Sequence, residues 1–152
     1  MTNQIEEATR EAAERIITLC KKLDVFRKKF EAKIPKSDCG SYCLADYPKC
    51  SPDSDDPDVR DYCAASAVLK EFLQTLSFKT LNDIMALMYL GRNGAFDGVQ
   101  YMPTRERFPF YRKEHRSKDN RDITIKRIAG KSPLLHEYLE EGLCWLERRM
   151  ER

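Results

Sequence analysis

An apolar residue recurs every three or four positions along the first 33 residues of the chain, and the positions between are mostly charged. This spacing is that of one face of an α-helix, so it predicts a long amphipathic helix over residues 3–33. Asn3 and Glu6 have the spacing of a capping box at its start, and Pro35 ends it. The apolar positions are Ile5, Ala8, Ala12, Ile16, Leu19, Leu23, Phe26 and Phe30. Such a stripe must be buried, either within one domain, which is the more economical alternative, or against a second copy in a homodimer.

A second helix is predicted by the residues that would start it. Asp56, Pro57 and Asp58 combine an N-cap, a proline at the first helical position and an acid at the positive end of the helix dipole. The apolar positions that follow keep helical spacing as far as Leu76.

A third helix is predicted after Thr80, which has capping-box spacing to Asp83. Its apolar residues cover most of its circumference, so we expect it to be the central and most buried helix. These residues are Leu81, Ile84, Met85, Leu87, Met88 and Leu90. Gly91 is predicted to end the helix as a left-handed C-cap.

The remaining sequence predicts one all-α domain of four to five helices. Residues 92–131 are less regular, with a short helix at Ile123–Ala129 that Gly130 stops, and Ser132 with Pro133 opens a last helix. No strand-like alternation competes, and 6 glycines and 7 prolines among 152 residues argue against a loop-rich β-sandwich. The domain, residues 1–152, divides into the long helix (1–34), a loop rich in Cys, Pro and Asp (35–57) and a helical core (58–152).

The compartment follows from what the sequence lacks. The N-terminus is polar and acidic, unlike a secretory signal, and no apolar run approaches the roughly 20 residues that span a bilayer. A soluble, cytoplasmic protein without membrane contact is therefore expected. In a reducing cytosol, the cysteines should be thiols or metal ligands, with Cys20 and Cys144 packed in apolar helix faces.

Four cysteines lie close together in sequence: Cys39, Cys43, Cys50 and Cys63. Four thiolates can bind a structural zinc ion tetrahedrally, and a loop can wrap around it. The usual pair of tight CxxC motifs is absent, so unligated thiols or an adventitious disulfide are the alternative. No other cofactor is predicted.

Two segments carry a family resemblance. The third helix reads FKTLNDIMALMYLGRNG and the last begins KSPLLHEYLEEGL. Together they resemble domain-of-unknown-function family 3775, a group of small bacterial proteins, over residues 70–146. The family has no assigned activity, so the resemblance implies a fold and a cellular context. It also marks Gly91 and Arg92 as the first positions to test, although Arg92 at a helix C-terminus fits a purely structural role as well.

Motifs for catalysis are missing from the sequence. His136 begins HEYLE, which lacks the second histidine of a zinc protease, and His115 is the only other histidine. Nucleotide-binding and serine-hydrolase motifs are absent, and Cys144 lies in an apolar helix face rather than beside a base. The sequence therefore predicts that the protein is not an enzyme.

A basic segment spans residues 101–131, with ten Lys or Arg against four Asp or Glu. Its cations interleave with aromatic rings, a combination that nucleic-acid surfaces use to neutralise phosphates and stack on bases. A solvated irregular segment pinned by its aromatic residues is the alternative. The acidic tract at 53–61, with five aspartates and one arginine, is a candidate for attracting it within the fold or between subunits.

These observations favour a non-enzymatic binding module that acts as a regulator or inhibitor of a larger complex by protein–protein interaction. The predicted binding surface comprises Arg92, Arg105, Arg107, Phe110, Tyr111, Arg112, Lys113, Arg116 and Lys118. A nucleic-acid-binding protein that uses residues 101–131 is the first alternative. A thiol- or metal-dependent enzyme, based on the four clustered cysteines, is the second.

Overall fold

The structure, a computed structural model, describes residues 5–34, 36, 53–93, 102–114 and 120–150. These residues form six helices and no β-strand, which confirms the all-α prediction with more helices than the expected four to five. The helices are α1 (Glu7–Glu31), α2 (Pro57–Thr75), α3 (Phe78–Asn93), α4 (Thr104–Glu114), α5 (Arg121–Ala129) and α6 (Ser132–Met150). None of the six combines the length and apolar composition that spanning a bilayer requires.

Two helix starts, those of α2 and α5, follow the local capping chemistry, and that of α1 does not. The side chain of Asp56 accepts a hydrogen bond from the backbone N–H of Asp58, so α2 starts where its sequence predicts. Asn120 caps α5 in the same way by accepting from the N–H of Ile123. For α1, the N-cap residue is Glu6, whose side chain makes no capping bond, and Asn3 of the predicted capping box lies outside the described residues.

The start of α3 differs from its prediction because another residue caps it. The hydroxyl of Ser77 accepts from the backbone N–H of Thr80 at 3.1 Å, and the helix already begins at Phe78. Thr80 and Asp83 therefore do not form a capping box. The carboxylate of Asp83 is instead buried inside the fold.

The predicted left-handed C-cap at Gly91 is wrong. The α3 helix continues through this residue to Asn93. A Cβ atom at Gly91 would lie 1.7 Å from the backbone oxygen of Tyr138 in α6. Gly142 of α6 is the reciprocal case, since its Cβ would lie 2.4 Å from the backbone oxygen of Leu87. Both glycines allow the two helices to touch backbone to backbone.

Helix α3 is the centre of the molecule, as its apolar circumference predicts. It packs most extensively on α6 and also contacts α1, α4 and α5. Helix α2 packs on the outer side of α1 and reaches α5. The buried residues of α3 are Thr80, Leu81, Asp83, Ile84, Met85, Ala86, Leu87, Met88 and Leu90.

Helix α4 was not predicted, because Pro109 inside it is a strong helix breaker in sequence and most of its residues are charged or polar. Phe108 and Tyr111, one turn apart, are buried against the core and anchor the helix. Tertiary contacts thus stabilise a helix that local propensity disfavours.

A small second cluster joins the end of α1 to the start of α2. Phe30 packs edge-to-face on Tyr62 with ring centroids 5.1 Å apart, beside Val59. Lys33 bridges to Asp56 and Asp58 at 3.0 and 2.6 Å. Two carboxylates of the acidic tract are therefore neutralised from α1. Because the end of α1 lies beside the start of α2, the two helices run in opposite directions.

Candidate interaction surface

The cation at Arg107, assigned to the binding surface from sequence, is inside the fold. Its side chain is 8 % exposed, and its guanidinium lies 4.5 Å from the centroid of the Trp145 ring. Its Nε also donates to the backbone oxygen of Met102 at 3.1 Å. Arg107 therefore ties α4 to α6 and is not available to a phosphate, because a stacked guanidinium packs as part of the core.

The three aromatic residues of α4 also pack against the core. Phe108 and Tyr111 are 0 % and 3 % exposed, and the half-buried Phe110 packs edge-to-face on Tyr111 at 5.2 Å. The predicted role of Tyr111 in stacking on a base is wrong, because a ring must be accessible to stack. Because the sequence predicts no helix at residues 104–114, its pattern does not separate these buried rings from exposed cations.

A buried ion pair connects α4 to the centre of the fold. The Arg112 guanidinium contacts the Asp83 carboxylate through Nε and Oδ1 at 2.9 Å, and it also lies over the Phe108 ring at 4.7 Å. The Asp83 side chain is 4 % exposed, whereas that of Arg112 is 42 % exposed. Burial raises the pKa of Asp83, and the positive charge of Arg112 acts in the opposite direction without cancelling the effect.

The raised pKa of Asp83 predicts a pH dependence of stability. Folding makes this carboxyl hold its proton more tightly, so lowering the pH through its folded pKa towards the ordinary aspartate pKa should stabilise the wild type. The Asp83→Asn variant lacks this titration. Chemical denaturation across that pH window should therefore show the wild type gaining stability relative to Asp83→Asn as the pH falls. A relative loss would mean that the attraction of Arg112 outweighs burial.

Two other residues of the predicted surface are exposed in the described part of the chain. Lys113 is exposed on α4, and Arg92 is exposed in the last turn of α3, where its charge suits the negative end of the helix dipole. The described part of the structure does not include the side chain of Arg105, and it includes neither Arg116 nor Lys118. Nucleic-acid binding through residues 101–131 stays a prediction.

The described cysteines are Cys20 and Cys144, which are free thiols, and Cys63. Cys63 is in a disulfide, which the sequence leaves open as an alternative to a zinc ligand or an unligated thiol, and a disulfide sulfur has no thiolate to give to a metal. Cys39, Cys43 and Cys50 lie outside the described residues. No group of potential metal ligands occurs within the described part of the chain. With Cys63 in a disulfide, the predicted four-cysteine zinc site could form only after reduction; zinc binding, like the thiol-dependent enzyme, stays a prediction, and metal analysis of protein purified without chelator tests it.

Alkylation of the native protein distinguishes these cysteines. Without reductant, iodoacetamide should modify the half-buried Cys144 and leave Cys63 unmodified. Cys20 should react only after unfolding, because burial raises the pKa of its thiol to about 12. Peptide mass spectrometry should detect alkylated Cys63 only after reduction. Its modification in the unreduced native protein would contradict the disulfide.

An apolar groove lies between α1 and α2, and all of its lining residues belong to these two helices. Its cavity volume is about 390 Å³. Leu19 and Phe26 of α1 and Ala65 of α2 contribute apolar surface, and Val68 on its edge is 44 % exposed. The lining residues are Arg15, Thr18, Leu19, Lys22, Phe26, Asp61, Ala64, Ala65 and Val68.

Arg15 and Lys22 line the α1 edge of this groove, and Lys29 lies seven residues further along the same face of α1; we call these three residues the cation row. None of the three makes an ion pair with a described residue; Lys29 lies over the Phe26 ring at 5.6 Å. The other cations between residues 7 and 34 are all paired with carboxylates: Arg10, Lys21, Arg27, Lys28 and Lys33. Among residues 7–34, the cations without an ion pair to a described residue thus lie along one face of α1, and two of them line the groove.

The α2 wall of the groove is apolar, in contrast to the cationic edge on α1. Residues 62–69 contain no charged side chain, in a chain that is 34 % charged. Ala64, Ala67 and Val68 are exposed there, so the wall is low and apolar. Asp61 provides one anionic group at the rim. The sequence pattern does not predict this groove, because Phe26 belongs to a stripe that is expected to be buried. The uncharged run at residues 62–69 of α2 is the sequence feature that could have indicated it.

Comparison with known proteins gives no further guidance: no family model, no curated protein and no solved structure matches the chain. The membership in family 3775 stays a prediction.

Proposed function

We propose that this protein is a non-enzymatic binding module, a regulator or inhibitor of a larger complex, and that it binds a protein partner in the groove between α1 and α2. The observation that supports it is the groove itself, in which exposed apolar side chains meet uncompensated charge. Protein interfaces are built in this way, with an apolar centre surrounded by a polar rim. The buried state of Arg107 and Tyr111 moves the proposed surface away from α4.

A photo-cross-linking experiment tests this function. Benzoylphenylalanine replaces Val68 in the groove or, as a matched control, Leu134 on α6, which is equally exposed at 45 %. Each protein is irradiated in an extract of the source organism. We expect a discrete adduct from position 68 alone.

The adduct should disappear when Ala64→Arg is combined with the cross-linker at position 68, because a long charged side chain would fill the groove. Circular dichroism of this combined variant confirms that the fold is retained. Identical adducts from positions 68 and 134, or an adduct that survives Ala64→Arg, would contradict the proposal.

A further inference from the structure

We infer that the partner presents an acidic amphipathic helix to the groove, with carboxylates about seven residues apart beside its apolar stripe. This inference rests on the proposed function and specifies the chemistry of the partner. It combines the shape of the groove, the cation row and the small side chains of the α2 wall.

The shape of the groove fits a third helix. Two antiparallel helices leave a shallow channel along their contact, and a helix can lay its apolar ridge into such a channel. The lining of α1 runs from Arg15 to Phe26, which corresponds to about 16 Å or three helical turns. Ala64 and Ala65 form a low wall, so an incoming backbone can approach α2 closely.

The charge of the groove specifies the occupant further. Successive members of the cation row are about 10.5 Å apart along α1, because seven residues rise 1.5 Å each. Carboxylates at seven-residue intervals on an aligned helix have the same spacing, so each can face one cation. Asp61 on the opposite edge repels an occupant that carries acids on both sides. The carboxylates of the partner should therefore lie on the side that faces α1.

A second copy of this chain fits the groove less well. In a twofold dimer that packs α1 against α1, the two cation rows would face each other, and like charges at an interface disfavour association. The homodimer remains an alternative outcome that the experiment detects.

Selection from a peptide library tests the inference. The library consists of 21-residue helices with a fixed leucine stripe, and the positions flanking it are randomised among Asp, Glu, Gln, Lys and Arg. The intact 152-residue protein is the target. We expect selected peptides to carry Asp or Glu at seven-residue intervals on one flank. Sedimentation of the protein alone should show a monomer at the concentration used.

Charge reversal provides the specificity control. For a selected acidic peptide, Arg15→Glu combined with Lys22→Glu should weaken binding about tenfold, and selection on that variant should favour Lys or Arg instead. The matched control combines Lys70→Glu on α2 with Lys126→Glu on α5. Both lysines are exposed and lie outside the groove, so the affinity should stay unchanged.

The outcomes separate the inference from the function on which it rests. Peptides without a charge preference, or with cationic flanks, would overturn the acidic helix while leaving a protein-binding groove. A library that yields no peptide sensitive to Ala64→Arg would overturn both. A dimer whose dissociation depends on Ala64→Arg would assign the groove to a second copy and overturn the inference.

Discussion

Gly91→Ala should lower the free energy of unfolding by about 3 kcal/mol, because the added methyl group has no space between α3 and α6. All three atoms nearest to the Cβ position belong to the backbone of α6: the oxygen and carbon of Tyr138 and the nitrogen of Gly142, at 1.7, 2.7 and 2.8 Å. A side chain could rotate away, but a backbone cannot, so the two helices would have to separate. Their contact is the most extensive between any two described helices.

Gly142→Ala should have a similar effect, since its Cβ would overlap the backbone oxygen of Leu87 at 2.4 Å. Gly130→Ala is the matched control. Gly130 follows α5 with a φ of −65°, which alanine adopts freely, and its Cβ would lie 3.0 Å from the backbone oxygen of Lys126 in the preceding turn, so the cost should be well below that at Gly91 or Gly142. Urea denaturation of the three variants measures these differences. Unchanged midpoints for Gly91→Ala and Gly142→Ala would contradict the backbone contact.

Leu87→Ala and Met88→Ala should each cost about 2–5 kcal/mol of unfolding free energy, because each removes a fully buried side chain and leaves a cavity. The two residues are 0 % and 1 % exposed in α3, which contacts four of the other five helices. The surrounding helices cannot close the cavity without disturbing one another, so the cost should lie well above that of a surface change.

Leu134→Ala serves as the control for these truncations, since this leucine is 45 % exposed on α6 and should change stability little. Thermal and urea unfolding of the three variants provide the comparison. An unchanged unfolding midpoint for both Leu87→Ala and Met88→Ala would refute the central position of α3.

Local chemistry made much of this fold predictable. The starts of α2 and α6 were predicted because Asp56 with Pro57, and Ser132 with Pro133, act on their own neighbours in sequence. The apolar circumference of α3 likewise predicts its burial without knowledge of any partner helix. Such signals need only a few consecutive residues.

The mispredicted positions depend on contacts between distant residues. A glycine at a helix end suggests a C-cap, and only the backbone of Tyr138, 47 positions later in the chain, shows that Gly91 permits close packing instead. The pairing of Asp83 with Arg112 and the stacking of Arg107 on Trp145 are likewise long-range. For the same reason the basic segment resembles a surface in sequence, whereas the rings of its α4 helix pack in or against the core.

The groove could be predicted only in part. The uncharged run at residues 62–69 and the seven-residue spacing of the cation row are visible in the sequence. The sequence does not show which cations are already paired with carboxylates, because the partners of Arg10 and Lys21 lie far away in the chain, on α6. The structure shows which cations of α1 have ion pairs, and those without one lie along one face of the helix.

The most direct test of the α1–α2 groove as the interaction site is a nuclear magnetic resonance titration of ¹⁵N-labelled protein. The probe is a 21-residue helical peptide with a leucine stripe and glutamates at seven-residue intervals on one flank. We expect amide shift changes concentrated in residues 15–29 and 61–68, with α4 and the exposed Leu134 unaffected. Shift changes centred on α4, or none at saturating peptide, would contradict the assignment of the interaction site to this groove.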